Sequence, residues 1–289
     1  MTRRRLTRRL DVGRLGLVAF LLLSALFFVL PLWAMVVTSL KDMDQIRASS
    51  PLAWPDNPTL QAWQAAWSEA CAGVDCGGVR SGFWNSVAIA LPSTLLPIGV
   101  GALNGYALSY WQPRGAGWLF GALLLGGFLP VQVMIYPLVK TLAAGGLFGT
   151  LPAIVLVHLV FSMPVMTLLF RNHFLSLPRE LFLAARVDGA GFWRVFVQLM
   201  LPMSLPIMVV AGIIQVTGVW NDYLLGLVFA GPDWQPMTVQ LNNIVNTSTG
   251  ERRYDLNMAA TLLTSLVPLL VYFGSGRWFV RGIAAGAVK

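Results

Sequence analysis

Six stretches of this chain contain no Asp, Glu, Lys or Arg, and they limit what it can fold into more than any other feature. They run Leu15 to Leu40, Ser81 to Pro113, Gly115 to Val139, Thr141 to Phe170, Val195 to Asn221 and Leu256 to Gly276. Each is long enough for the ~20 residues with which a helix crosses ~30 Å of hydrocarbon. Backbone groups in lipid must find their hydrogen bonds within the segment, which favours helices. Only 11% of the residues are charged, against roughly 25% in soluble domains, so the bilayer is the expected solvent. The predicted fold is all-α: one polytopic membrane domain, residues 1–289, with six transmembrane helices.

The first window follows "MTRRRLTRRL" and has the flank of a secretory signal. It is longer than the ~7–15 residues of a signal core, and no clear cleavage site follows, so it is expected to be the first membrane helix. The net charge of +8 has a topological explanation rather than a nucleic-acid one. With the N-terminus inside, fourteen Lys and Arg fall on the cytoplasmic side and six outside, as the positive-inside rule requires. Both termini are then cytoplasmic.

Expected spans are Gly13–Leu40, Phe83–Tyr110, Trp118–Leu142, Thr150–Arg171, Met203–Phe229 and Met258–Phe273. Between them lie a basic tail (1–13), an outer loop (41–82), a cytoplasmic loop (172–202), a second outer loop (230–257) and a C-terminal tail (277–289). The first outer loop, rich in Pro and Trp, holds Cys71 and Cys76. Their compartment and spacing permit a disulfide, two free thiols being the alternative. In the second span, Gly101 and Gly105 form a small-xxx-small pattern that lets a neighbouring backbone approach.

Enzymatic motifs are missing. None of the three lysines follows a glycine, which removes the P-loop. His158 and His173 form no metal-binding pair at helical spacing, and no G-x-S-x-G elbow occurs. Ionisable groups at membrane depth are functional candidates, and Asp222 is the acidic one. With Trp220 and Asn221 it would offer hydrogen bonds and an aromatic face to a sugar; the alternative is an interfacial belt beside a solvated carboxylate. Gln132, Tyr136 and Gln215 are further path candidates, although packing between helices is the favoured role for them. His158, without an acidic residue within a turn or two in sequence, reads as a packing residue.

The cytoplasmic loop "LPRELFLAARVDGAGFWRVFVQLMLP" is the polar segment that the spans leave unexplained. Ser176 is a candidate N-cap, Pro178 suits the first turn, and Glu180 suits the positive end of the helix dipole. Gly189 can close the helix. Phe192, Val195, Phe196 and Leu199 follow at helical spacing, as a face to rest on the membrane domain. Ala184 and Ala185 keep the first helix flat enough for another protein's groove; an interfacial helix without a partner is the alternative.

Here a resemblance adds to the residues. "PRELFLAARVDGA" followed by "LP" resembles the E-A-A loop of ABC importer permeases, P-x-E-L-x-E-A-A-x-x-D-G-A and then L-P. Glu180, Leu181, Ala184, Ala185, Asp188, Gly189, Ala190 and Pro202 occupy the matching places. Leu183 stands where the pattern has a second glutamate. "RWFVRGIAAGAVK" is similar to the ending of maltose-type carbohydrate permeases. "FWNSV", "GALNGYALS", "WNDYLLGLVFA" and "LNNIVNTSTG" resemble bacterial glucose/mannose importer permeases.

The resemblance implies a sugar permease of the bacterial inner membrane that is not itself an enzyme. ATP and Mg would be bound by a partner ATPase in two copies. A homologous second permease and a periplasmic sugar-binding protein would complete the assembly, with no nucleic acid. It also implies that the loop is a coupling helix, with Arg179, Glu180 or Arg186 supplying charge in place of the missing glutamate. An ion-coupled carrier working alone and a structural scaffold are the competing classes.

Overall fold

The computed structural model describes residues 12–72, 75–246 and 252–287. Residues 1–11, most of the basic tail, lie outside them, as do 247–251 and Lys289. Helix α1 (Val12–Ser39) is apolar all round, and almost none of it is covered within the chain. Two short helices follow, α2 (Met43–Ala48) and α3 (Gln61–Ser68). The Asp42 carboxylate accepts the Gln45 N–H, at 2.8 Å, to start α2, and that bond holds its pKa below the ordinary carboxylate value. The strands β1 (Cys71–Ala72) and β2 (Asp75–Cys76) pair antiparallel, with Cys71 opposite Cys76 and their sulfurs joined as a disulfide.

Helix α4 (Arg80–Tyr106) continues into a π-helical turn, Ala107–Trp111. Then come α5 (Ala116–Gly127), α6 (Val131–Ala144), α7 (Leu151–Ser176) and α8 (Arg179–Val187). The chain goes on through α9 (Phe192–Val195), a π-helical turn at Phe196–Met200 and α10 (Leu201–Met203). It ends with α11 (Leu205–Asn221), α12 (Leu224–Phe229), α13 (Met237–Asn246) and α14 (Tyr254–Ala287).

Among the described residues, four single helices are long and apolar enough to cross a membrane: Gly13–Ser39, Arg80–Trp111, Leu151–Ser176 and Tyr254–Gly276. Two expected spans are broken. The window read as one helix from Trp118 to Leu142 is α5 and α6, bent by 107°. Pro130, with no N–H to continue α5, opens α6 instead, and Gly126 and Gly127 just before it favour helix weakly. The fifth window is bent by 75° between Phe192–Met203 and Leu205–Asn221. The fifth expected span, Met203–Phe229, breaks again at Asp222, whose backbone is extended (ψ 127°).

Two boundaries also move. Helix α7 runs to Ser176, whose hydroxyl bonds back to the His173 carbonyl at 2.6 Å. Ser176 therefore ends one helix instead of capping the next, and Pro178 takes the N-cap place. Helix α14 continues as far as Ala287, through most of the segment expected to be a tail.

The centre of the fold is the crossing of α4 and α7. A Cβ on Gly101 would lie 2.6 Å from the Met166 Cβ, and one on Gly105 would lie 2.7 Å from the Arg171 backbone nitrogen. The small-xxx-small spacing does bring two backbones together here. Around the crossing, Ile98, Ala102, Tyr106, Met166, Phe170 and Phe174 are buried as one cluster.

Candidate functional site

At one end of the bundle, α8 packs on the π-helical turn Ala107–Trp111 that follows α4. Phe182, only 7% exposed, points inward with half-buried Ala185, while Leu181 and Arg186 are exposed. The Phe182 ring stacks on Tyr110 at 4.7 Å and meets Trp111 edge-on at 5.9 Å. The Arg186 guanidinium sits 4.6 Å from the centre of the Trp111 ring and donates to the Ala190 carbonyl at 3.2 Å. Arg186 is therefore engaged with its own subunit.

The opposite face of α8 carries Glu180, Leu183, Ala184 and Val187, at spacings of three and four. All are exposed, Leu183 by 50% and Val187 by 86%. Arg179 and Asp188 are exposed at the two ends. Leu183 and Val187 thus leave an aliphatic strip uncovered on a helix whose other face is anchored by an aromatic ring. Gly189 (φ +76°) closes the helix: its N–H reaches the Arg186 carbonyl at 3.1 Å, and the Ala190 N–H reaches Ala185 at 3.0 Å.

Beneath this helix the aromatic residues are tied to backbone. Tyr106, fully buried, donates its hydroxyl to the Phe192 carbonyl at 3.2 Å and accepts the Trp111 indole N–H at 2.6 Å. Its ring contacts Phe192 at 4.9 Å and Phe196 at 5.3 Å. Tyr110 donates to the Phe174 carbonyl at 2.9 Å, closing the end of α7. The face of Phe192, Val195, Phe196 and Leu199 rests on this cluster. Thus α8, α9 and the adjoining ends of α4 and α7 meet in one aromatic cluster. Sequence reasoning missed Tyr106, Tyr110, Trp111 and Phe182; the signal was an aromatic in a polar loop and "YALSYWQ" at the end of a span.

The six path candidates are not brought together. Gln215 is buried and donates to the Ser93 carbonyl at 2.9 Å and to the Ser162 hydroxyl at 2.5 Å, fastening α11 to α4 and α7. Pro97, four residues after Ser93, has no N–H for that carbonyl. Trp220 repeats the device: its indole donates at 3.0 Å to the Thr264 carbonyl, which Pro268 leaves open. Trp220 is 2% exposed, so its ring offers no face to a sugar.

The Asp222 carboxylate accepts the N–H groups of Leu225 (3.3 Å) and Gly226 (2.9 Å), which starts α12 after the break. The Asp222 carbonyl takes the Thr238 hydroxyl at 2.6 Å. His158 approaches this carboxylate at 3.9 Å from α7. It does have an acidic neighbour, brought by the fold from a distant helix. Gln132, Tyr136 and Lys140 form an exposed stripe along α6, with the Lys140 amine 5.1 Å from the Tyr136 ring centre. Asn221 is exposed at the end of α11.

Among the described residues no cluster of His, Cys, Asp and Glu has the makings of a metal site. The family model described as "Binding-protein-dependent transport system inner membrane component" matches residues 5–285. The osmoprotective compounds uptake permease protein GgtD of Synechocystis sp. is 37% identical over 214 residues, which are 73% of this chain and 71% of that protein. The alpha-glucoside transport system permease protein AglG of Rhizobium meliloti is 36% identical over 224 residues, 75% of this chain and 58% of that longer protein. In structure, the chain is similar to one from a bacterial ABC transporter that imports the acidic polysaccharide alginate. The TM-score is 0.75 with 14% identity, covering 92% of this chain and 96% of the other.

Proposed function

The chain belongs to the family of binding-protein-dependent transport system inner membrane components, and from that premise we propose that it is the permease subunit of a sugar importer driven by a separate ATPase. Counting each bent helix pair as one span gives six, with both termini and α8 on the cytoplasmic side. The observation that carries this reading is the two-faced α8, with Phe182 locked onto Tyr110 inside and Leu183, Ala184 and Val187 bare outside. An ATP-binding subunit seats on the bare strip, one copy here and a second on a homologous permease. Apolar contact replaces the salt bridge that a glutamate at position 183 would have made, and Arg179 and Glu180 supply charge at the edge. Closure of the ATPases pulls α8, and the aromatic cluster passes the movement to α4 and α7, a two-state rocking biased by nucleotide. ATP and Mg stay in the partner.

Glucose or mannose is the favoured cargo, on the strength of the motifs "FWNSV", "GALNGYALS", "WNDYLLGLVFA" and "LNNIVNTSTG". The alpha-glucoside and osmoprotectant relatives support an oligosaccharide or a glucosylated osmolyte as the alternative. A periplasmic binding protein delivers it. The exposed stripe of Gln132 and Tyr136, together with Asn221, remains for the path once Gln215, Trp220 and Asp222 are occupied structurally. One observation favours an ion-coupled carrier, the His158–Asp222 approach at 3.9 Å; both Asp222 oxygens are taken by backbone N–H groups, which speaks for a structural carboxylate.

Deleting Ala184–Asp188 from the assembled complex tests the reading. Sugar-dependent ATP hydrolysis is lost while the membrane part stays folded. Normal hydrolysis in that deletion contradicts the assignment, as does uptake that survives removal of the ATPase but fails in Asp222→Asn.

A further inference from the structure

Two clefts lie along the seam of α5 and α7, one at mid-helix and one at the end nearer α8. The mid-helix one, about 260 Å³, is lined by Leu119, Ala122, Leu123, Gly126, Val160 and Pro164, with Leu129, Met134 and Phe161 completing its wall. The other, about 230 Å³, is lined by Leu108, Gln112, Ala116, Gly117, Phe120 and Arg171. On α5, Gly117 and Phe120 face the second cleft while Leu119 and Leu123 face the first. On α7, Arg171 is seven residues beyond Pro164, about 10 Å along the helix. The seam is therefore apolar at mid-helix and has Arg171 and Gln112 at the end nearer α8.

Arg171 marks where the apolar span gives way to water. Its guanidinium sits 4.3 Å from the centre of the Phe120 ring, and among the described residues no carboxylate pairs with it. Its backbone is fixed by the close approach of Gly105, whose carbonyl accepts the Ser109 hydroxyl at 2.7 Å, with the Arg171 carbonyl 3.3 Å from the same oxygen. The side chain is thus held at the cleft with its charge unneutralised. Trp118, 89% exposed on the neighbouring turn, has the amphipathic ring favoured at headgroup level. The apolar wall is open, with Leu119 53% and Val160 48% exposed.

We propose that this groove binds one anionic phospholipid of the leaflet on the α8 side, its phosphate on Arg171 and an acyl chain along Leu123, Val160 and Pro164. A guanidinium is the planar donor that a phosphate oxygen pair matches, and the membrane that the spans require supplies the ligand. Charge complementarity selects the occupant: a helix of another subunit laid here would have to bury Arg171 or bring it a carboxylate. The inference rests on the membrane location and not on the nature of the cargo.

Native mass spectrometry of the full chain, with the subunits that co-purify, tests it. Phosphatidylglycerol or phosphatidylcholine is added, and retained lipid is counted at rising collision energy. Wild type holds one phosphatidylglycerol more firmly than phosphatidylcholine, and Arg171→Ala lowers that retention roughly tenfold. Leu123→Trp, which fills the apolar cleft and leaves the cation, lowers it as well, so a folding defect in one variant does not leave the test open. Arg194→Ala, on an exposed arginine bonded to Gln198, changes nothing. Equal retention of the two lipids, full retention in both groove variants, or displacement by inorganic phosphate alone overturns the proposal. So does a disulfide from Val160→Cys to a companion subunit, which would place protein in the groove.

Discussion

The indole N–H of Trp220 donates to the Thr264 carbonyl at 3.0 Å, four residues before Pro268. A proline has no N–H, so the helix that contains it leaves one carbonyl unpaired in a medium without water. The same logic joins Gln215 to Ser93 ahead of Pro97. Two polar side chains on α11 thus serve the backbone of α14 and α4, and both prolines sit mid-helix without breaking it.

This relationship predicts a coupled cycle. Trp220→Phe keeps an aromatic ring but loses the N–H and part of the buried volume; the hydrogen-bond share of the cost is about 0.6–1.7 kcal/mol, the scale of interhelical hydrogen bonds in membranes. In a Pro268→Ala background the residue at 268 can bond Thr264 itself, and the cost of Trp220→Phe shrinks. Thermal unfolding of the four proteins in detergent reads the difference. Equal costs in both backgrounds would mean that the bond has no such role.

Gly105 and Gly99 lie on one helix with opposite surroundings. A Cβ at 105 meets the Arg171 nitrogen at 2.7 Å, whereas one at 99 meets nothing within 4 Å. Gly105→Ala therefore destabilises by about 1–3 kcal/mol, as overpacking does. Gly99→Ala is neutral or slightly stabilising, since alanine favours helix. Apparent melting temperatures of the two variants separate these outcomes.

The Cys71–Cys76 bridge closes a hairpin of few residues, so its removal costs about 2 kcal/mol or less on the chain-entropy account. Non-reducing alkylation of the native protein modifies neither cysteine. After reduction, a membrane-impermeant maleimide added to intact spheroplasts labels both, and Ser176→Cys at the α8 end is not labelled. Labelling of Ser176→Cys alone would reverse the proposed orientation.

Four of the six expected spans were legible as single long helices because lipid enforces two crude quantities, length and freedom from charge. Backbone direction leaves no such trace. Pro130 breaks a span while Pro97, Pro164 and Pro268 do not. Two glycines precede Pro130 closely, and for Pro97 and Pro268 a distant side chain repairs the gap; hydropathy registers neither. The break at Asp222 was hidden for a similar reason, because its carboxylate acts as a local cap only once the chain has turned. The backbone stop at Gly189 was visible in advance. What α8 rests on was not, since Phe182 finds Tyr110 seventy-two positions earlier. Nor was the position of Arg186 over Trp111, seventy-five positions earlier, although its side chain stays exposed.

The most direct measurement compares the two faces of α8 in the reconstituted complex, by ATP hydrolysis with and without sugar-loaded binding protein. Leu183→Asp, on the bare face, prevents the ATPase from seating and abolishes the stimulated rate together with ATPase co-purification. Phe182→Ala, on the anchored face, removes a buried ring contact of about 3–5 kcal/mol, leaves the ATPase bound, and uncouples hydrolysis from sugar. Full sugar stimulation in Phe182→Ala, or an ATPase that still binds and responds normally with Leu183→Asp, would contradict the transmission of motion through α8.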